Sequence, residues 1–435
     1  MKRPSVIHVV LIDGTFASLM EGRHSNIGQI YKLLRQLRGV PIRLHYAAGQ
    51  QWEMWRDLPR LAGGEGVARR IQAAYAWLAG SYRPGDQIYL LGYSRGAFAV
   101  RSLAGMISRV GLLHPEAAVE RNVRLAWRYY RDPSLPGLDA FRAAGCEKDV
   151  EIRLVGVFDT VMALGVRLPL LWMLTEPRFR FHDHQLGREV ARGAQALALD
   201  ETRAAFQPIL WRSGPDARVR QMWFRGAHAD IGGQLAGFEP ARGLANIPLN
   251  WMLSQCAEAG LPLPEGWREG LHLDPAAPSV GSWRGWGKAF LARAPRLAGS
   301  DPSEAIHPSA LPYHCAAILS GPLAVKAGGA KRRHRRRAAR VAGGEEAQEI
   351  AGIDAEPCEV GAQGESESTR PTNLEAAGGE PRFADENRPG AWDDGGHDPS
   401  ETTRAREDQW HNAALDQNEE LGAPGAADQQ SHGRA

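Results

Sequence analysis

Ser94 stands between two glycines in Gly92-Tyr93-Ser94-Arg95-Gly96, and the residues on either side say why that matters. Gln87 to Leu91 is a short apolar run that reads as a buried strand. Ala97 to Met106 places apolar residues at helical spacing. A serine on a sharp strand-to-helix turn is held up at the edge of a sheet, where its hydroxyl can act as a nucleophile. The Gly-x-Ser-x-Gly spacing alone carries little information in a glycine-rich chain. The strand before it, the helix after it and the small Ala97 give it weight.

A serine hydroxyl needs a base to take its proton, and the imidazolium that forms needs a carboxylate. His228 closes the run "VRQMWFRGAH" at 219–228, and Asp159 closes "VEIRLVGVFDT" at 150–160. The chain order Ser94, Asp159, His228 is the order of the triad in α/β-hydrolases. The backbone N–H of Arg95 is a candidate oxyanion donor. A second donor is expected from Asp13-Gly14-Thr15, through the N–H of Gly14 or Thr15. Rivals exist: Asp230 and Asp183 for the carboxylate, and His182, His184 and His307 for the base. "FHDHQ" at 181–185 has metal-ligand types, but an isolated His-x-His without flanking Cys or Glu reads as a loop pair, so no metal site is expected. "DGTFAS" after the first strand lacks the lysine of a phosphate loop, so neither a nucleotide nor another cofactor is expected.

The elements that must position these residues alternate. Strands are expected at Ser5–Ile12, Ile42–Ala48, 87–91, 150–160 and 219–228. Helices are expected after the cap Ser25, at Val67–Leu78, from Ala97 and at Asn246–Ala259. Alternation of this kind predicts an α/β fold, α/β-hydrolase-like, with a mostly parallel sheet and helices on both faces. In such sheets functional groups gather at the carboxyl ends of strands, which puts Asp13, Ser94, Asp159 and His228 along one edge.

The chain has 435 residues and a net charge of +2, so no global field argues for nucleic acid. Four scattered cysteines, Cys146, Cys256, Cys315 and Cys358, suggest thiols in a reducing compartment. The apolar run in "MKRPSVIHVVLIDGT" is short and holds His8, which reads as a first strand and not a signal peptide. No apolar run reaches the roughly 20 residues that span a bilayer. Eleven of the 13 Trp precede residue 325. Beyond it the chain is polar and rich in Gly, Ala, Glu and Asp, which predicts a catalytic domain at 1–324 and a disordered tail at 325–435. The basic cluster Lys331–Arg337 reads as part of a solvated tail, with contact to anionic lipid or nucleic acid as the other reading.

Six motifs recur in one order: "LIDGT" (11–15), the stretch 74–107 around Ser94, "VGVFDTVMALG" (155–165), "ALALDETRAAFQPILW" (196–211), "WFRGAHADIGGQ" (223–234) and "IPLNWML" (247–253). Together they resemble the catalytic domain of type VI secretion phospholipase effectors, over about residues 5–315. Phe16 stands where a tryptophan is more usual. The resemblance implies a hydrolase of glycerophospholipid acyl esters, with Ser94 as nucleophile, Asp159 as carboxylate and His228 as base. It also implies a secretion-apparatus component and an immunity protein as partners, peripheral membrane contact, and residence in the cytoplasm before export without a cleaved signal. Leu168, Leu170, Leu171, Trp172 and Leu174 form an apolar patch that is a lid, an interfacial foot or a packing helix. The competing classes are a non-catalytic binding module on the same scaffold and a hydrolase of soluble esters or thioesters.

Overall fold

The apolar run that opens the chain forms β1 (Ile7–Ile12), and its side chains from His8 onward are buried. The computed structural model describes residues 3–50, 65–161, 185–284, 288, 290–313, 315–321 and 323. Seven strands make one sheet in the order β2-β1-β3-β4-β5-β6-β8, and every pairing is parallel. The remaining strands are β2 (Ile42–Ala47), β3 (Gln87–Tyr93), β4 (Ile152–Phe158), β5 (Gly193–Ala198), β6 (Val219–Phe224) and β8 (Glu304–Ile306). A separate two-stranded sheet pairs β7 (Leu297–Ala298) with β9 (Ile318–Leu319).

Helices cover both faces. On one side lie α2 (Glu65–Ser81), α3 (Arg95–Val110) and α4 (Glu120–Arg131), with a short α5 (Leu138–Gly145) beyond them. On the other side lie α1 (Asn26–Leu34) and α7 (Arg242–Glu258), with the five-residue α6 (His228–Gly232) at the site edge. Ser25 caps α1 as its position predicts, accepting from the N–H groups of Ile27 and Gly28. The fold is α/β with both faces of a parallel sheet buried, which is why the central strands read as continuous apolar runs.

One expected strand is cut short, and one central strand is not among those expected. The run 219–228 is strand only to Phe224; Gly226 turns the chain at φ 111°, and His228 opens α6. The central strand β5 carries the sequence GAQALA, whose side chains are too small to announce it by pattern. The apolar patch 168–174, the pair His182 and His184 with Asp183, the cluster Lys331–Arg337 and the tail lie outside the described residues.

The chain leaves β1 toward β2 on one side and returns to β3 on the other. That reversal opens a crevice at the carboxyl ends of β1 and β3, where ligands of open α/β sheets bind.

Candidate active site

Ser94 sits at the crevice in a backbone conformation L-residues seldom adopt, with φ 57° and ψ −119°. Such strain persists only where the surroundings enforce it. Here the enforcement is contact. A Cβ on Gly96 would stand 2.1 Å from the carbonyl oxygen of Ile12, and one on Gly92 would stand 2.5 Å from that of Gly96. The two glycines let β1, β3 and the first turn of α3 meet, and the serine is left at the apex.

Asp159 follows β4, also at positive φ, 46°. Its carboxylate reaches across β5, where its Oδ1 accepts from the N–H of Ala198 at 3.2 Å. His228 reaches it from α6. The His228 Nδ1 lies 2.5 Å from Asp159 Oδ2, and the Nε2 lies 2.9 Å from Ser94 Oγ. A carboxylate only accepts, so Nδ1 carries the proton and Nε2 is free to accept from the serine hydroxyl. All three side chains are buried. The structure therefore joins Ser94, His228 and Asp159 in one hydrogen-bonded chain.

Tyr93 and Phe206 fix the imidazole plane. The Tyr93 ring lies 4.9 Å from it and the Phe206 ring 5.0 Å from it, the second edge-on. A Cβ on Gly14 would come within 2.4 Å of the Tyr93 ring, so the loop after β1 presses on the same aromatic.

Of the two candidates for a second oxyanion donor, Gly14 is occupied: its N–H donates to Asp13 Oδ1 at 2.8 Å. The N–H of Thr15 has no partner among the described residues. Asp13 has a different part from the one its position suggests. Its side chain turns inward, accepting from Ser25 Oγ at 2.6 Å, from the Tyr46 hydroxyl at 2.7 Å and from Gly14 N–H. Burial raises its pKa to about 6 against those bonds. It shapes the loop from within and leaves the crevice to backbone groups.

The rivals separate. Asp230 caps α6 through the Ala227 N–H at 2.8 Å and ties down Val280 N–H at 2.7 Å and the Ser279 hydroxyl. His307 bonds Ser309 and stacks on Phe224, with no contact to Ser94 or Asp159.

Two charged residues in the site escape sequence reasoning. Arg296 donates to both oxygens of Asp159, at 2.6 and 2.9 Å, and to the carbonyls of Ala198 and Phe206. Burial would raise the Asp159 pKa. The Arg296 charge, with the His228 bond, outweighs it and holds the carboxyl well below the usual range. Glu201, fully buried, accepts from the His228 N–H at 3.2 Å and pairs with Arg203, whose guanidinium lies over the Phe206 ring. Neither shows a sequence signal: Arg296 is one of many arginines in an irregular stretch, and Glu201 belongs to a motif whose strand is hard to read.

A family profile described as "T6SS, Phospholipase effector Tle1-like, catalytic domain" matches residues 7–255. This chain belongs to that family. The match spans Ser94, Asp159 and His228 and ends before Arg296. An uncharacterised protein of Saccharomyces cerevisiae, YEL023C, is 32% identical over 157 residues, covering 33% of this chain and 21% of its own length. A crystal structure of an uncharacterised protein from Pseudomonas aeruginosa aligns with 18% identity and a TM-score of 0.39, over 61% of this chain and 47% of that one. The structure of the Tle1 effector bound to the VgrG spike of the type VI secretion system aligns with 19% identity and a TM-score of 0.29, over 53% and 51%. The chain thus spans about a fifth of the yeast protein and about half of each solved one.

Proposed function

We propose that this chain is a serine-dependent carboxylic ester hydrolase of the phospholipase A type. The observation that carries the reading is the buried relay Ser94 Oγ to His228 Nε2 at 2.9 Å, and His228 Nδ1 to Asp159 Oδ2 at 2.5 Å. Family membership supports the lipid substrate.

In this mechanism Ser94 Oγ attacks the ester carbonyl while His228 Nε2 takes its proton. Asp159, kept ionised, stabilises the imidazolium. The oxyanion accepts from the N–H of Arg95, at the positive end of α3, and from the N–H of Thr15. His228 then returns the proton to the leaving alcohol, and water repeats the sequence on the acyl-enzyme. Nothing in this scheme calls for a metal or cofactor.

Phe16 and Met20 are exposed in the segment after β1, and Trp283 and Leu291 are exposed in the segments flanking Phe290, whose ring packs on Phe206. Exposed apolar side chains of this kind suit peripheral contact with a membrane. No described helix is long and apolar enough to cross one. By family, the proposed partners are a secretion-spike component and an immunity protein, and the proposed route is export from the cytoplasm without a cleaved signal.

The test is Ser94→Ala against wild type on a short-chain ester and on phospholipid vesicles, with fluorophosphonate labelling. Wild type should label and turn over both; the variant should lose at least ~10³-fold in rate and all labelling. Turnover of short esters without vesicles would remove the phospholipid assignment. Equal inactivity of both proteins without labelling would favour a binding module.

A further inference from the structure

Arg95 follows the nucleophile and opens α3, and its side chain does something its backbone does not. The Nε donates to Thr15 Oγ1 at 2.5 Å, which lays the guanidinium along the loop that offers the second oxyanion donor. Arg70, from α2, lines the same cleft together with Ile12, Thr15, Gln50 and Gly96. Both arginines are half-buried.

Among the described residues no carboxylate lies within ion-pair distance of Arg95 or Arg70. Other arginines near the site are paired: Arg203 with Glu201, Arg242 with Glu239, Arg296 with Asp159. Asp13 also lines the cleft, but its oxygens are held by three donors of their own, the Gly14 N–H and the Ser25 and Tyr46 hydroxyls. Burial first, and the Arg70 charge second, pull the Arg95 guanidinium down to about 10. Two like charges held together in a half-buried cleft make a site that gains from an incoming anion.

We propose that Arg95 and Arg70 form a phosphate subsite beside Ser94, built for the phosphodiester of a glycerophospholipid. The proposal rests on the ester-hydrolase reading of Ser94 and names the part of the substrate that reading leaves open. The fork of a guanidinium matches paired phosphate oxygens. The placement fits as well, because a glycerophospholipid carries its phosphate a few bonds from the acyl carbonyls, and Arg95 is the nucleophile's covalent neighbour. A neutral glyceride would leave both cations without a partner, so the cleft discriminates by charge.

The experiment compares kcat/KM for a phosphatidylglycerol and for a diacylglycerol of the same chains in mixed micelles, for wild type, Arg70→Gln and Arg70→Lys. Arg70→Gln should lower the phospholipid-to-glyceride ratio by roughly tenfold or more, and Arg70→Lys by less. In a second arm, glycerol 3-phosphate and inorganic phosphate are tested as inhibitors of diacylglycerol hydrolysis. Glycerol 3-phosphate should compete with wild type and lose that effect in Arg70→Gln. An unchanged ratio in a variant of unchanged melting temperature overturns the proposal. An inhibition by inorganic phosphate that depends on Arg70 while the lipid ratio does not would identify free phosphate as the ligand and sink the headgroup assignment. If wild type cleaves no ester and takes no fluorophosphonate, the Ser94 reading fails instead. Calorimetric binding of glycerol 3-phosphate to the full chain then decides the subsite by itself.

Discussion

The carboxylate that orients His228 is shared with a guanidinium, and that sharing has a measurable consequence. Asp159 gives one oxygen to the imidazole and both to Arg296. A depressed carboxyl pKa contributes stability above the unfolded value, about 4, and loses it as pH falls through the folded value, so Asp159 weakens the fold only in strongly acidic solution. The Arg296 charge is the first of the forces that lower the Asp159 pKa against its burial. With Arg296→Gln the folded-state pKa of Asp159 rises, so the stability its ionised form contributes should be lost at a higher pH as the solution is acidified, read by urea unfolding across a pH series. Arg296→Lys should restore part of the wild-type pH dependence. A variant that folds and keeps the wild-type pH dependence would reduce Arg296 to a clamp on the carbonyls of Ala198 and Phe206. Asp230→Ala gives the contrast. It orphans the N–H groups of Ala227 and Val280 and should cost about 1–3 kcal/mol of stability, read by denaturant unfolding. It should leave Ser94 open to fluorophosphonate, which Asp159→Ala should not.

The elements set the site by how closely they approach. Gly96→Ala would drive a methyl group to 2.1 Å from the Ile12 carbonyl, against backbone that cannot swing aside. The end of β1 and the start of α3 must part, so the variant should lose about 2–3 kcal/mol of stability together with its serine labelling. Loss of one without the other would uncouple the turn from the reactivity proposed for Ser94. This geometry was readable because the elbow residues are themselves the signal: a glycine on each side of Ser94 and an apolar strand before it. Asp13, Ser94, Asp159 and His228 were picked out by one rule, the carboxyl ends of parallel strands, and the sheet does place them on one edge. The rule could not tell what each side chain meets. Asp13 turns inward to Ser25 and Tyr46, and His228 stands on a helix four residues past its strand's last paired position. Strand β5 was hidden because GAQALA lacks the branched and aromatic residues that mark strands. Arg296 was hidden because its partner lies 137 positions away.

The family match stops at residue 255, but the folded structure does not. Residues beyond it complete the sheet and the site. β8 pairs with β6, Glu304 accepts from the indole N–H of the fully buried Trp223 at 2.7 Å, and Arg296 serves Asp159. Leu323 is buried in the small cluster that includes Trp223 and Ala298. After it the composition turns polar, which is the basis of the proposed domain boundary at 324. Two truncations test that boundary. A chain ending at residue 324 should melt within about 2 °C of the full one and keep its rate on a soluble ester, because a shift of 1 kcal/mol would already move Tm by about 2–4 °C at this size. A chain ending at residue 255 should fail to fold cooperatively, since it strands a buried indole and a buried carboxylate without their partners. Calorimetry of the two decides the matter. A sharp transition in the shorter chain would make 256–324 an accessory segment, and a large drop in Tm for the longer one would place part of the fold's core beyond residue 324.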